Sequence, residues 1–385
     1  MALMYAMQAA CSNPGFAFLA VASYLSDTLG FSATQLASFQ AIVFLPWFAK
    51  PLLGILTDGL PLWGYRFKSY LVICYATVVI SFIGLGSWPQ PSARVLLIGL
   101  VLLSTGIACS DVLADRLMVI RGRATDRINR LQAAQWTGLG FTAVAVLVLG
   151  GWSADHLSLA RVFFLSALLP VVALGWILLN YSEERDFSVT LRQSWQQFLR
   201  GFRQSELSSL VWLVILLQIS PMPLDYPYQR EVLAFDNTLI GQLKAVEFLG
   251  IGLGALTFGL VSQKAVRLPL LRFAIMGSAI ATLSLAFMQD ATTAYGVYLV
   301  RGIASIVALL SLFGIIARRC PKGAEGFTYA LLVSISNLAA SGGLIVGGQL
   351  YDWGLSFALV AVIGAGYTLV MGGAIALYKG QKWQL

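Results

Sequence analysis

The chain repeats one feature that excludes most folds at once: apolar runs, each about as long as a membrane-crossing helix. Such a helix needs roughly 20 mostly apolar residues. Twelve segments qualify: Leu3–Leu25, Leu36–Leu56, Tyr70–Trp88, Val95–Leu117, Leu131–Trp152, Val162–Tyr181, Leu207–Pro227, Leu239–Val261, Leu270–Met288, Tyr295–Ile316, Phe327–Leu350 and Leu355–Tyr378. Backbone N–H and C=O groups find no partner in lipid, so runs of this kind must be helical. Only 11% of the 385 residues are charged and 58% are hydrophobic, whereas soluble domains carry about 25% charged residues. An all-α membrane protein is the expected fold class. The first run reads as the lead-in to a helix, not as a removable signal peptide, because Met1 to Met7 contain no basic residue.

Most connections are short. The exception, Ser182 to Glu206, is polar and divides the chain into six spans and six. The expected domains are a six-helix bundle over 1–181, a cytoplasmic central loop over 182–206, and a second six-helix bundle over 207–385. Within the loop, Trp195, Phe198, Leu199 and Phe202 recur at helical spacing, which predicts an amphipathic helix on the membrane surface.

With the N-terminus in the cytoplasm, nineteen Lys and Arg fall on the cytoplasmic side and only Arg94, Arg161 and Arg230 on the other. Cytoplasmic loops are enriched in Lys and Arg, so the asymmetry predicts that both termini are cytoplasmic. It also gives the net charge of +8 a topological meaning, and nucleic-acid binding is not expected. The cysteines, Cys11, Cys74, Cys109 and Cys320, are dispersed, and His156 is the only histidine. Neither a metal site nor another cofactor site is expected from such spacing. There is no HExxH, no Walker-type glycine loop and no Ser/His/Asp set, so neither an enzyme nor an ATP-driven pump is expected.

The two halves echo each other. Asn13-Pro14-Gly15 interrupts the first span, and Ser220-Pro221-Met222-Pro223 interrupts the seventh. Paired interruptions of this kind mark duplicated transporters whose substrate site lies between the halves. The second span ends in Gly54-Ile-Leu-Thr-Asp58, followed by Gly64, Arg66 and Lys68. Gly54 would permit close helix approach, and Asp58 would pair with a cation or cap a neighbouring helix, making this turn a candidate gate. It resembles the loop-two signature of the major facilitator superfamily in a lengthened form.

Further segments are similar to the folate-biopterin transporter family within that superfamily. They are Leu45-Pro46-Trp47 through Lys50-Pro51 to Gly54, Ser110-Asp111-Val-Leu-Ala-Asp115, Leu131-Gln132 with Trp136, and Cys320-Pro321 through Glu325-Gly326 to Ser336-Asn337. The chain departs from the family pattern at Arg116–Ile120 and at Pro223–Tyr228. The resemblance implies twelve helices in two pseudo-symmetric bundles, working as a monomer among membrane lipids. It also implies secondary transport of a small anionic aromatic solute of the folate or pterin type. A membrane assembly factor that does not transport, for example for pigment-protein complexes, is the competing function.

Ionisable groups at bilayer depth usually face a protein-lined cavity and serve function. Here they are Lys50, Asp111, Asp115, Asp225, Lys244, Glu247 and Arg301. Asp111 and Asp115 share one helical face at i, i+4. Two carboxylates so close resist ionising together, which suits proton coupling. Asp225 and Glu247 are further candidates, although Glu247 and Lys244 at i, i+3 also read as a neutralising pair. Lys50, Lys244 and Arg301 are candidate ligands for solute carboxylates, and Trp47, Trp136, Gln132 and Asn337 for its ring.

Overall fold

The computed structural model describes residues 2–12, 15–125, 128–185, 205–262, 270–319 and 325–383. These form twelve crossings, labelled α1 to α12. The first half contains α1 (Ala2–Cys11 and Phe18–Ser23, closed by a π-turn over Tyr24–Thr28), α2 (Ala33–Val43, Leu45–Phe48 and Lys50–Gly59) and α3 (Lys68–Gly86). It continues with α4 (Ala93–Thr125), α5 (Ile128–His156) and α6 (Leu159–Ser166 and Leu168–Asn180). The second half contains α7 (Ser205–Gln218 and Asp225–Pro227, closed by a π-turn over Tyr228–Val232), α8 (Asn237–Ser262), α9 (Leu270–Ser284), α10 (Ala291–Arg319), α11 (Glu325–Asp352) and α12 (Phe357–Trp383). Among the described residues, eight crossings are long and apolar enough to span a membrane, α6 with one irregular residue at Ala167. The others are the short α9 and the interrupted α1, α2 and α7.

Proline explains two of the interruptions, since it removes a backbone donor and clashes with the preceding turn. In α2 the helix restarts at Lys50-Pro51 after the irregular Ala49. In α7, residues 219–224 leave the helix, and neighbouring helices take up the freed groups: Met222 N donates to Gly343 O at 3.2 Å, and Ser220 Oγ donates to Gly364 O at 2.7 Å. The predicted break in α1 spans residues 12–17, of which Asn13 and Pro14 lie outside the described residues. So does the predicted amphipathic helix around Trp195.

Several helices run beyond their apolar segments. Arg121, Arg123 and Arg130, expected in a loop, lie on the extended ends of α4 and α5, and Lys379 and Lys382 lie on α12. A helix that has left the hydrocarbon accepts charge without cost to its backbone bonds. At the end of the protein opposite the termini (the distal end), a regular device starts the helices. All six even-numbered crossings follow a Ser or Asp: Ser32, Ser92, Ser158, Asp236, Asp290 and Ser356. These residue types accept a bond from the first-turn N–H groups, as in Leu239 N to Asp236 Oδ1 at 2.7 Å and Thr293 N to Asp290 Oδ1 at 2.8 Å.

Packing follows the duplication. In the first half α3 lies against α4 and α6; in the second, α9 lies against α10 and α12. Two further pairs join the halves, α5 with α8 and α2 with α11. The α5–α8 contact is backbone on backbone: a Cβ on Gly151 would lie 2.5 Å from Asn237 O, and one on Gly241 would lie 2.6 Å from Leu147 O. Small residues allow such approach in membranes. Large apolar side chains cover the outside, with Leu179, Val370 and Ile80 at 86%, 70% and 69% exposure. In water that surface would drive aggregation; lipid solvates it.

Candidate functional site

Among the described residues, two buried charge clusters stand at helix breaks, one in each half. In the second half, Asp225 stands on the first residue after the break in α7. Its Oδ2 accepts from Lys244 Nζ of α8 at 2.8 Å and from Arg301 Nη1 of α10 at 2.9 Å, and it accepts a short bond from the Tyr298 hydroxyl. Glu247 completes the network, 3.2 Å from Arg301 Nε and 3.4 Å from Lys244 Nζ. Gln229 Nε2 donates to the Tyr298 hydroxyl at 2.7 Å. Two cations thus face two carboxylates, and the cluster is neutral.

Gly302 sets this geometry. A Cβ there would lie 2.1 Å from Glu247 O, so its absence lets α10 press against α8 beside Arg301. Gly302→Ala should force the helices apart. We expect a destabilisation of about 1–3 kcal/mol and loss of the Glu247–Arg301 contact, read as a lower melting temperature of the purified protein. An unchanged melting temperature would show that the approach is not required.

In the first half, Lys50 also stands on the first residue after a helix break. It forms a short, buried ion pair with Asp111 of α4, and its Nζ lies 4.4 Å from the centre of the Trp47 ring, a cation–π distance. Asp115, one turn along α4, accepts from Gln135 Nε2 of α5 at 3.4 Å; among the described residues it has no cation partner. The buried Tyr5 hydroxyl of α1 has no hydrogen-bond partner among the described residues. Here two carboxylates share one cation.

Other candidates fall away from these clusters. Trp136 packs among apolar residues on the α5, α8 and α10 side. Asn337 makes no hydrogen bond to either cluster among the described residues, while its neighbours Ser334 and Ser336 bond to Trp47 O at 3.2 Å and Gln218 at 2.6 Å. The side chains of Gln132 and Asp58 lie outside the described residues.

In the expected gate, Trp63 and Gly64 both have positive φ, 53° and 86°. That is the signature of a type I′ turn, which favours glycine. Arg66 and Lys68 are held by an unforeseen group: Glu183, just past α6, accepts from the backbone N–H of Arg66 at 2.9 Å, Phe67 at 3.0 Å and Lys68 at 2.6 Å. It neutralises the start of α3 as a helix N-terminus requires. Gly54 does not serve close approach in this arrangement, since a Cβ there would meet only Val112 Cγ1 at 3.9 Å.

The distal end is fastened across the two halves. Asp155, at the end of α5, accepts from Asn237 N at 3.1 Å and Thr238 N at 2.6 Å, at the start of α8. Asp352, at the end of α11, accepts from Thr34 N at 3.0 Å and Ser32 Oγ at 3.2 Å, at the start of α2. The two clasps are counterparts under the internal duplication. Between them, Arg230 Nη2 of α7 meets Asp27 Oδ2 of α1 at 3.0 Å.

Comparison with known proteins agrees with this architecture. The profile of the BT1 family matches residues 12–369. A folate-biopterin transporter of Synechocystis sp. is 24% identical over 365 residues, covering 88% of this chain and 72% of the relative. Probable folate-biopterin transporter 4 of Arabidopsis thaliana is 26% identical over 415 residues, covering 87% and 84%. Among solved structures, a variant of the nucleoside transporter NupG superposes with a TM-score of 0.73 at 14% identity, covering 98% of this chain and 97% of that one. The human organic anion transporter MFSD10 does so at 0.65 and 14%, covering 97% and 96%. This integral, multi-pass membrane protein belongs to the BT1 family, the family of the folate-biopterin transporters, and is built on the major facilitator fold.

Proposed function

We propose that the protein is a proton-coupled secondary transporter of a folate- or pterin-type anion, working by alternating access. The observation that carries this reading is the pairing at the break in α2: Lys50 bound to Asp111, with Asp115 one turn away. Two carboxylates and one ammonium in an apolar interior reach neutrality when the pair of acids holds one proton. With the proton on Asp111, Lys50 is released to take a solute carboxylate. With the proton gone, Asp111 reclaims Lys50 and the solute leaves. The neutral cluster of Asp225, Lys244, Glu247 and Arg301 in the second half offers two more cations, each freed only when a carboxylate is neutralised. The excess of Lys and Arg on one side supports cytoplasmic termini, so that the distal clasps close the outward side.

Reconstituted protein should take up labelled folic acid when the outside is acidified. Asp111→Asn cannot carry the proton, so pH-driven uptake should fall to background while exchange of internal for external folic acid continues. Undiminished pH-driven uptake in that variant would remove Asp111 from the coupling step. Absence of uptake and of exchange by the wild type, for folic acid and pterin-6-carboxylate alike, would sink the transport reading.

A further inference from the structure

A pocket opens inside the first half among α1, α2, α3 and α4, with Trp47 and Ile107 in its lining. Five aromatic side chains line it: Phe18, Phe39, Phe44, Trp47 and Phe82. Phe44 and Trp47 stack with ring centres 5.7 Å apart. Ser12, Gln40 and Ser104 add polar atoms to the lining, and among the described residues their side chains form no hydrogen bond. Ser12 adjoins the interruption of α1, so the pocket sits where that helix is open.

Helical register places the charged pair at one end of this pocket. Ile107 lines it and Asp111 follows at i+4 on α4; Trp47 lines it and Lys50 follows at i+3, with its ammonium against the Trp47 ring. Ile107 and Asp111 thus lie on one face of α4, and the cation–π contact brings Lys50 to the Trp47 ring across the break in α2. An aromatic wall, free polar side chains and a cation at one end are complementary to a flat ring carrying a carboxylate. They do not suit a cation, and a neutral hydrocarbon would leave the polar atoms unpaired.

Resting on the transport reading above, we infer that this pocket seats the aromatic ring of the solute, with the solute's carboxylate taking the place of Asp111 on Lys50. Gln40 and Ser104 then recognise the ring edge, and the first half of the protein, not the cations of the second, selects the solute. The test is equilibrium binding of tritiated folic acid and of 2-naphthoate to the protein in lipid nanodiscs. It compares wild type with Gln40→Leu, which removes the amide at similar volume, and Ser104→Phe, which fills the pocket. Both variants should weaken folic acid binding at least tenfold (roughly 1.4 kcal/mol or more), and Ser104→Phe should weaken 2-naphthoate binding likewise, while the melting temperature stays near wild type. If Ser104→Phe fails to fold, Gln40→Leu decides alone. Wild-type affinity in folded Gln40→Leu, with folic acid still bound, would overturn the pocket and leave the transport reading standing. Binding of 2-naphthoate but not folic acid, sensitive to Ser104→Phe, would keep the pocket and remove the folate class of solute. Failure of the wild type to bind either probe, or co-purified phospholipid displaced by Ser104→Phe, would overturn the pocket as a ring site.

Discussion

Asp225→Ala should be the most damaging single substitution among the buried charges. Its Oδ2 accepts from Lys244, Arg301 and Tyr298 at once, and without it two cations depend on Glu247 alone. Their side chains are only 11% and 14% exposed, so water cannot replace the missing partner. Removing one member of a buried ion pair costs about 3–5 kcal/mol, because the surviving charge is left uncompensated. That is a large share of the 5–15 kcal/mol that typically holds a fold. We expect the variant to lose most of its monodisperse yield in mild detergent and to melt well below wild type. Asp225→Ala with Lys244→Met restores neutrality, with Arg301 facing Glu247. This double variant should recover much of the stability while remaining inactive in uptake. If the single variant is as stable as wild type, the network is not an energetic unit. If the double variant is no better than the single, charge balance is not the cause.

The second large effect concerns the distal clasps. The carboxylates of Asp155 and Asp352 are exposed, so their loss leaves no buried charge and should not unfold the protein. Each nevertheless bonds first-turn N–H groups of a helix in the other half. Loss of a helix-capping group costs about 1 kcal/mol, and here that cost falls only on the arrangement in which the halves meet. Asp155→Ala with Asp352→Ala should therefore favour distal opening by about 2 kcal/mol, a roughly thirtyfold shift in population. Spin labels on Trp88→Cys and Gln289→Cys, at the distal ends of the two halves, should report a new population at longer distance. An unaltered distance distribution would show that the clasps do not set the closed state.

Much of the fold was legible because lipid imposes a length and a composition on every crossing. The interruption of α7 followed from proline, and the i, i+3 spacing of Lys244 and Glu247 already suggested their contact; the break of α2 before Lys50-Pro51 was not foreseen. The meeting of Asp225, Lys244 and Arg301 was not legible, since three helices bring them together and no spacing along the chain encodes that. Glu183, Asp155 and Asp352 were missed for another reason. Each sits at the end of a span, where an isolated acidic residue looks like any solvated loop charge. Only the folded backbone shows the N–H groups each one faces. Trp136 looked like a ring-binding candidate by residue type, yet its position on α5 gives it to packing.

The reciprocal clasps also bear on how the protein is assembled. The first turn of α8 is completed by a carboxylate from the first half, and the first turn of α2 by one from the second. A fragment covering 1–181 or 207–385 therefore lacks a group that its own helices need, and it supplies one that its own helices cannot use. The fragments should be short-lived when produced singly and should rescue each other when produced together. Complementation between separately encoded fragments would then report on the interface without any transport measurement.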